Sequence, residues 1–430
     1  MARPIVVKFG GTALARLPRV LERVRSVRDG DSPLVLVVSA RAGVTDRLYA
    51  MIAAPHDRAR HARLLAEIER LHTGLGGDDT EHRPRIGALV RRLEQGGAPS
   101  ERLRDRLLSE GERLAVRWLA DRLNRAGLPA VAVDADDLGL VVDRGPGLPT
   151  LHLRDSTRRV RSTLLNILET GTIPVVTGYF GRGRSGEVVT LGRGGSDYSA
   201  SGIAALLRAE RLELVKGEAS VRTADPREVK EAPPLSALSY EEAEELARLG
   251  ARVLHPLTMA PARSAGVTIW VRSLSDPFAV TVIGAASGRR HRAFTRSGPL
   301  AALRVNLPEA VERSVGLARV GGALARAGVP VKAAFGATST LAIFVPRSNG
   351  PAAVAALRGA VGAAVVRDGP CDLVTVVGNG VLSDVPRIPT SVLSQSRGLF
   401  ASRLSLSIVV PEPKGVDTLR ALHLALLPSP

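Results

Sequence analysis

The first two thirds of the chain alternate short, uninterrupted apolar runs with segments of helical periodicity, and this alternation restricts the possible folds most. The apolar runs are Ile5 to Val7, Leu34 to Val38, Val131 to Val133 and Ile173 to Thr177. A strand that is apolar at successive positions is buried on both faces, as in a parallel sheet covered by helices. The sequence therefore predicts an α/β fold with a mainly parallel sheet sandwiched by helices.

The pattern changes after a stretch rich in Gly, Ser and Arg, which we predict to be a linker at residues 285–297. Beyond it, strand–helix–strand patterns recur at a spacing of roughly sixty residues, which indicates repeated small units. The strands of these units are predicted at Leu341 to Val345, Leu373 to Val377 and Leu404 to Val410. We therefore expect a large α/β domain at 1–284, followed by two small α+β modules in tandem at 298–366 and 367–430.

Composition limits the cellular compartment and the classes of binding partner that we expect. Cys371 is the single cysteine, so a disulfide framework and a cysteine-based metal site are excluded. No apolar run reaches the ~20 residues that a membrane helix needs, and the N-terminus lacks the pattern of a signal peptide. We therefore expect a cytoplasmic protein that binds no membrane.

The net charge of +17 raises nucleic-acid binding as an alternative. The arginines, however, are scattered through every segment, and aromatic residues make up only 3% of the chain. Nucleic-acid sites concentrate positive charge on one face and use aromatic rings for stacking. The composition instead favours an arginine-rich solvated surface that attracts anionic substrates, and we expect no nucleic acid as a partner.

Two glycine-rich turns before predicted helices indicate phosphate binding. In Lys8 to Thr12, adjacent glycines let backbone amides approach a phosphate, and the lysine adds a compact cation. In Gly192 to Asp197, glycines surround an arginine and lead into an apolar helix. This second turn offers backbone donors, a guanidinium fork and a helix cap. An ordinary tight turn and a plain helix cap are the alternative interpretations of the two segments.

With five further motifs in the same order, these turns resemble the aspartokinase branch of the amino acid kinase family. The further motifs are Val38 to Ala40 with Gly43 to Asp46, Ser109 to Leu114, Thr223 to Arg227, Ser239 to Ala243 and Gly250 to Pro256. The two C-terminal modules resemble the paired ACT domains of that family, so the resemblance covers essentially the whole chain. It implies the amino acid kinase fold, ATP and Mg²⁺ as cofactors, and phosphorylation of the side-chain carboxylate of L-aspartate.

The resemblance also assigns roles to individual residues. Lys8 and Asp197 are the predicted catalytic residues, and Lys8 is expected to bridge the β- and γ-phosphates. Within the acceptor pocket, Glu112 is expected to bind the ammonium group and Arg193 the α-carboxylate. The predicted acceptor pocket consists of Ser39, Thr45, Glu112, Phe180, Arg193 and Ser196. The predicted nucleotide site consists of Lys8, Gly10, Gly11, Thr12, Lys216, Glu218, Arg222, Arg227 and Arg252, and no residue is predicted to be a metal ligand.

The nucleotide loop departs from the pattern of the family. Gly217 stands where the family has an aspartate near the nucleotide, and Arg222 stands where an aromatic residue is expected. Glu218 is the candidate replacement, because the neighbouring glycine makes the backbone adaptable. Two alternatives to an aspartate kinase therefore stay open. One is a kinase of this fold with another small acceptor, and the other is an amino-acid-binding regulatory subunit with a degenerate nucleotide site.

The resemblance further implies how the C-terminal modules are used. ACT domains of the family take amino-acid effectors, so an effector is a candidate partner in addition to the amino-acid substrate. The edges of the predicted sheets must be paired or covered. Pairing across a two-fold axis is the solution in the family, so we expect a homodimer.

Overall fold

The structure is a computed structural model, and it describes residues 2–30, 32–72, 82–145, 148–217, 220–251, 255–276, 278–286, 291–307, 312–336, 340–361 and 365–427. The chain divides into two compact units. The first consists of residues 1–221 and 257–285, and the second of residues 222–256 and 286–430. Among the described helices, none combines the length and the apolarity that crossing a membrane requires.

The described strands and helices follow each other along the chain as follows. The strands are β1 (Ile5–Phe9), β2 (Leu34–Val38), β3 (Ala130–Val133), β4 (Val142–Asp143), β5 (Thr150–Leu151), β6 (Ile173–Thr177), β7 (Phe180–Arg182), β8 (Val188–Thr190), β9 (Arg211–Lys216), β10 (Ala237–Ser239), β11 (Thr268–Ser273), β12 (Val280–Gly284), β13 (Ala293–Asn306), β14 (Ala333–Gly336), β15 (Thr340–Pro346), β16 (Val365–Val377), β17 (Gly398–Ala401) and β18 (Ser405–Pro411). The helices are α1 (Gly11–Leu14), α2 (Leu17–Arg28), α3 (Val44–Ala53), α4 (Arg58–Leu71), α5 (His82–Gln95), α6 (Glu101–Arg125), α7 (Ala135–Leu138), α8 (Leu153–Glu169), α9 (Gly195–Leu207), α10 (Tyr240–Arg248), α11 (Met259–Ala265), α12 (Arg313–Arg326), α13 (Gly350–Val361), α14 (Thr390–Leu393) and α15 (Gly415–Leu426).

The main sheet of the first unit has the strand order β12-β11-β9-β1-β2-β6-β3. The pairs β1–β2, β1–β9, β2–β6, β3–β6 and β9–β11 are parallel, and β11–β12 is antiparallel. Strands β1, β2 and β6 are buried at every position, whereas β3, the outermost strand, is only partly buried, so the predicted burial of Val131 to Val133 is wrong. The complete burial of β1, β2 and β6 explains their continuous apolar runs, and the predicted α/β fold with a mainly parallel sheet is confirmed.

Helices α2 and α6 pack against the sheet and bury one apolar cluster. Val24 of α2 and Val116 and Leu119 of α6 lie in this cluster with Leu36 of β2. Each such side chain contributes about 1.5–3 kcal/mol through its burial. Helix α6 has 25 residues and begins after Ser100, whose hydroxyl accepts the backbone N–H of Leu103 at 3.3 Å. The packing of α6 fixes the position of the Ser109 to Leu114 motif, which lies in the middle of this helix.

The second unit contains an antiparallel sheet with the order β14-β15-β13-β16-β18-β17. Its two central strands, β13 and β16, pair along most of their length, with irregularities at Ser297 to Leu300 and at Ala301 to Leu303. Strand β15 pairs with the second half of β13, and β18 pairs with the second half of β16. The paired strands β13 and β16, called the ribbon below, thus belong to two four-stranded groups. The first half of β13 and the second half of β16 form the C-terminal group with β17 and β18, and the other two halves form a group with β14 and β15.

This sheet differs from the predicted tandem arrangement of the modules. Residues 293–297, which we predicted to lie in the linker, pair with Leu373–Val377 and supply the fourth strand of the C-terminal group. Strand β16 also continues across the predicted boundary at 366, and the second unit includes residues 222–256. The strand that closes the C-terminal group therefore comes from the first half of β13. The boundaries themselves stay a proposal.

A buried ion pair ties the start of β13 to the C-terminal group. Arg292 is 4% exposed and Asp384 is 5% exposed, and Arg292 also donates to the carbonyl of Asn379 at 3.0 Å. We predict that Asp384→Ala lowers the free energy of unfolding by about 3–5 kcal/mol, because it leaves a buried guanidinium without its counter-ion. Urea titration followed by circular dichroism measures the change.

The matched control is Asp368→Ala. Asp368 forms an exposed ion pair with Arg304 at 3.1 Å in the same unit, and its loss is expected to cost less than about 1 kcal/mol. Equal destabilisation by the two substitutions would contradict the argument from burial.

Candidate active site

The carboxyl ends of β1, β2, β6 and β9 bring four segments of the chain together. Lys8 lies in β1 and Gly10 follows that strand, while Ser39 follows β2. Gly178 follows β6, and Lys216 is the last residue of β9. Because these strands are parallel, their carboxyl ends meet at the same edge of the sheet, which is where ligands bind in open α/β sheets.

The loops at this edge approach each other so closely that two of them require glycine. A Cβ atom on Gly11 would lie 2.4 Å from the carbonyl oxygen of Ala40, and one on Gly178 would lie 2.7 Å from the Cβ of Ser196. Contacts of that length are not tolerated between a Cβ and its neighbours, so larger residues are excluded. The Gly-Gly turn after β1 is therefore packed against the loop after β2.

Asp197 binds two lysine side chains at the same edge. It lies in the first turn of α9, and its two oxygens are each 2.6 Å from an ammonium nitrogen, that of Lys8 and that of Lys216. Burial by itself raises the pKa of Asp197, but the ammonium groups of Lys216 and Lys8 outweigh it and hold that pKa well below its usual value. The cluster therefore carries one carboxylate and two cations, a net positive charge suited to phosphate.

Glu112 provides a second buried carboxyl group at this edge. Its Oε1 accepts the backbone N–H of Ala40 at 3.0 Å, while its Oε2 has no hydrogen-bond partner among the described residues. Burial raises the pKa of Glu112 to about 8, and the N–H of Ala40 and the charge of Lys8 oppose this shift. A buried polar atom is normally paired, so the free oxygen indicates a position for a cationic ligand group.

Tyr179 is a residue of this region that the sequence analysis missed. Its backbone is left-handed, with φ 75°, and its N–H donates to the hydroxyl of Ser199 at 3.1 Å. Its hydroxyl lies 3.2 Å from that of Tyr49, and burial is the main reason that its pKa is raised, with contributions from Tyr49 and Glu112. The only sequence signal was its place beside Phe180 between two glycines.

The other predicted residues of the acceptor pocket lie on a loop, on the first turns of helices and at the start of β7. Arg193 is exposed, and among the described residues it has no ion pair or hydrogen bond. Thr45 is half-buried in the first turn of α3, and Ser196 is buried against Gly178. Phe180 is completely buried, and its ring lies 4.7 Å from the guanidinium carbon of Arg113.

The predicted nucleotide residues divide between the two units. Thr12 is exposed on α1 of the first unit, near Gly217. In the second unit, Arg222 donates to the carbonyl of Ala232 at 2.7 Å, and Arg227 pairs with Asp225 at 2.5 Å. Glu218 and Arg252 lie outside the described residues. The nucleotide roles of Arg222, Arg227, Glu218 and Arg252 therefore stay predictions.

Two of the three carboxylates of an acidic cluster beside α6 are paired with arginines. Asp134, Asp136 and Asp137 lie close enough together to resemble a metal site. Arg113, however, is 2.5 Å from Asp134 and 2.7 Å from Asp136, and Arg117 is 2.9 Å from Asp134. These ion pairs anchor the residue next to Glu112, so the cluster supports the position of Glu112 in the fold.

The arrangement at this edge, two lysines on a buried carboxylate and a second buried carboxyl group with a free oxygen, suits the class of site that binds an anionic ligand beside a cationic group. The family model described as "Amino acid kinase family" matches residues 3–273. The matched residues make up more than half of the chain and include the strands β1, β2, β6 and β9, whose carboxyl ends form this edge. The chain therefore belongs to the amino acid kinase family.

The chain is also similar to named relatives over most of its length. It is 28% identical to the aspartokinase of Geobacillus stearothermophilus over 97% of this chain and 96% of that protein. It is 28% identical to an aspartokinase of Thermus thermophilus over 98% of both chains. The structure of E. coli aspartokinase III in complex with aspartate and ADP superposes with a TM-score of 0.83 at 24% identity, covering 98% of this chain and 99% of that one. The structural likeness shows that the fold is shared.

The raised pKa of Glu112 predicts how stability depends on pH. In the unfolded chain this carboxyl group titrates near 4.5, whereas in the folded protein it titrates near 8. Between those values the folded state holds a proton that the unfolded state releases. The contribution of Glu112 to stability is therefore present below about pH 5 and is lost as pH rises to 8, by about 1.4 kcal/mol for each pH unit.

Glu112→Gln keeps an acceptor for the N–H of Ala40 and removes the titration. We expect the variant to lose less stability than the wild type between pH 5.5 and pH 8, as measured by urea unfolding at both values. Parallel changes in the two proteins would show that Glu112 titrates normally in the folded state.

Proposed function

We propose that this protein is an ATP-dependent aspartate kinase, which transfers the γ-phosphoryl group of ATP to the side-chain carboxylate of L-aspartate and forms 4-phospho-L-aspartate. The observation that carries the proposal is the pair of lysines on Asp197, next to the buried carboxyl group of Glu112. Relatives named aspartokinase that match over nearly the whole chain support it. So does the E. coli enzyme of the same fold, whose structure contains aspartate and ADP.

On the acceptor side, we assign the ammonium group of the substrate to the free Oε2 of Glu112. Binding an ammonium group there returns the carboxylate to its charged form, because the cation offsets the cost of burial. Arg193 is free to form a bidentate pair with the α-carboxylate. Ser39, Thr45 and Ser196 complete the proposed pocket, and the side-chain carboxylate then points toward Lys8.

On the nucleotide side, Lys8 and the amides of Gly10 and Gly11 are proposed to hold the phosphates. The substrate carboxylate is already ionised at neutral pH, so no general base is needed. An oxygen of that carboxylate attacks the γ-phosphorus while the bond to the β–γ bridging oxygen breaks and ADP leaves. Catalysis then depends on in-line positioning and on the charge of Lys8 and Lys216, which offsets the negative charge on the transferring group.

We propose Mg²⁺ as part of the nucleotide complex. Both oxygens of Asp197, an acidic residue at this edge of the sheet, are paired with lysines. The residues therefore fit a Mg²⁺ ion held by phosphate oxygens and water, as is usual for this ion. When bound, the ion supplies further neutralisation of phosphate charge.

The second unit is proposed to bind an amino-acid effector and to form a homodimer. Strands β14 and β17 are the outer strands of its sheet, and exposed edges of this kind favour pairing with a second copy. A structure of E. coli aspartokinase III contains lysine and aspartate in a T-state. Sedimentation equilibrium with and without added lysine tests the homodimer and the effector. A protein that is a monomer at micromolar concentration, and whose mass does not change when lysine is added, refutes both proposals.

An acceptor other than aspartate is the main alternative. Glu112 and Arg193 bind only the two groups that all α-amino acids share, so the pocket residues named here do not by themselves select the side chain. Release of ADP from Mg-ATP, measured across a panel of amino acids, decides between the acceptors. Turnover that depends on aspartate supports the proposal, whereas turnover with a different acceptor alone supports the alternative. Binding of amino acids without any turnover supports a regulatory subunit.

The two sides of the site predict different kinetic defects. We expect Lys8→Ala to lower kcat by about 100-fold or more, because it removes a charge that stabilises the transition state. We expect Arg193→Ala to raise KM for aspartate by about 10- to 100-fold through the loss of a charged hydrogen-bonded pair, with KM for ATP unchanged. Steady-state assays of ADP release measure both. A rise of KM for ATP in Arg193→Ala would instead place this residue on the nucleotide side.

Lys216 is expected to act on the phosphates together with Lys8. We predict that Lys216→Ala lowers kcat by about 10- to 100-fold, because one of the two cations on Asp197 is removed. Lys230→Ala is the matched control, since Lys230 is an exposed lysine with no described ion pair. A Lys216→Ala enzyme with the wild-type kcat would assign Lys216 a structural role only.

A further inference from the structure

A groove between three helices of the first unit lies away from the site described above. It is formed by the first half of α8, the last turn of α9 and the end of α11, and its volume is about 510 Å³. Arginine and hydroxyl side chains line it together with leucine and alanine. The polar residues are Arg154, Thr157, Arg161, Arg208 and Ser264.

The positive charge in this groove is not balanced. Arg154 and Arg208 are exposed, and neither has an ion pair or hydrogen bond among the described residues. Arg161 donates from one nitrogen to the carbonyl of Leu206 at 2.8 Å, which leaves its other N–H groups available. The lining residues that the structure describes include no acidic side chain. Three guanidinium groups thus face one groove without a counter-ion.

Arg208 occupies a backbone conformation that ordinarily favours glycine. It follows the last residue of α9 with φ 48° and ψ 48°. A left-handed residue at this position of a helix end is usually glycine, because a Cβ makes the conformation costly. Among the described residues, the other non-glycine residue with positive φ is Tyr179. The conformation of Arg208 therefore does not require an arginine side chain, and a glycine can replace it without strain.

We propose that this groove is a second anion site, which binds a small molecule carrying phosphate groups. Guanidinium forks match the oxygens of phosphate and form paired, charge-assisted hydrogen bonds with them. The volume is within the range of ordinary small-molecule sites. The groove is also separate from the proposed active site, because Arg208 lies eleven residues beyond Asp197, about 16 Å along the axis of α9.

The test is calorimetric titration with inorganic pyrophosphate without added nucleotide, because ADP carries the same diphosphate group and would compete for the groove. We expect a groove site whose affinity for pyrophosphate falls at least tenfold in the double variant Arg154→Ala, Arg208→Gly. Arg159→Ala is the matched control. Like Arg154→Ala, it removes one positive charge from α8, but the side chain of Arg159 packs against Gly139 instead of lining the groove. This control and Lys8→Ala are both expected to keep the affinity of the wild type.

Thermal melting separates a binding role from a structural one. Glycine adopts the left-handed conformation without strain, so Arg208→Gly is expected to melt no lower than the wild type. An affinity that is unchanged in the double variant overturns the proposal, as does an equal loss in Arg159→Ala. Loss in Lys8→Ala alone also overturns it and assigns pyrophosphate to the active site. Citrate serves as the probe for a carboxylate ligand, and binding as tight as that of pyrophosphate overturns the assignment to phosphate.

Discussion

The site depends above all on the carboxylate of Asp197, which holds the ammonium groups of Lys8 and Lys216 at 2.6 Å each. These three residues belong to α9, β1 and β9, so the ion pairs join a helix N-terminus to two adjacent strands. Lys8 and Asp197 are 5% and 6% exposed, and charges at that depth are tolerated only because each has a partner. Any movement of one element therefore disturbs the other two, and the cluster remains positive where phosphate is expected.

Glu112 shows the complementary case of a buried carboxyl group with one free oxygen. Its neighbour Arg113 is held by Asp134 and Asp136, and Arg117 adds a further pair to Asp134. This network holds α6 at the position next to Glu112, and the N–H of Ala40 holds the carboxyl group itself. The protein thus keeps Glu112 in place before a ligand binds, which reduces the cost of ordering the site.

The second unit illustrates how a strand can belong to two groups. Strand β13 has fourteen residues, and its two halves pair on either side of an irregularity near Ser297 to Leu300. The first half completes the group formed by β16, β17 and β18, and the second half belongs with β14 and β15. The two modules therefore share a continuous hydrogen-bonded ribbon, and neither has a complete sheet without residues from the other part of the chain.

The sequence alone determined the buried strands and the order of the motifs, because continuous apolar runs and glycine-rich turns are local properties. It identified Lys8, Glu112, Arg193 and Asp197 through a resemblance of motifs, without showing any distance between them. Only the tertiary structure placed Lys216 on the same carboxylate as Lys8, and the hydroxyl of Tyr179 next to that of Tyr49. It also showed that residues 293–297 pair with residues 373–377 of β16, which lie far away in the sequence. Such contacts join residues far apart in the chain, and no local pattern encodes them, because they depend on how strands and helices pack.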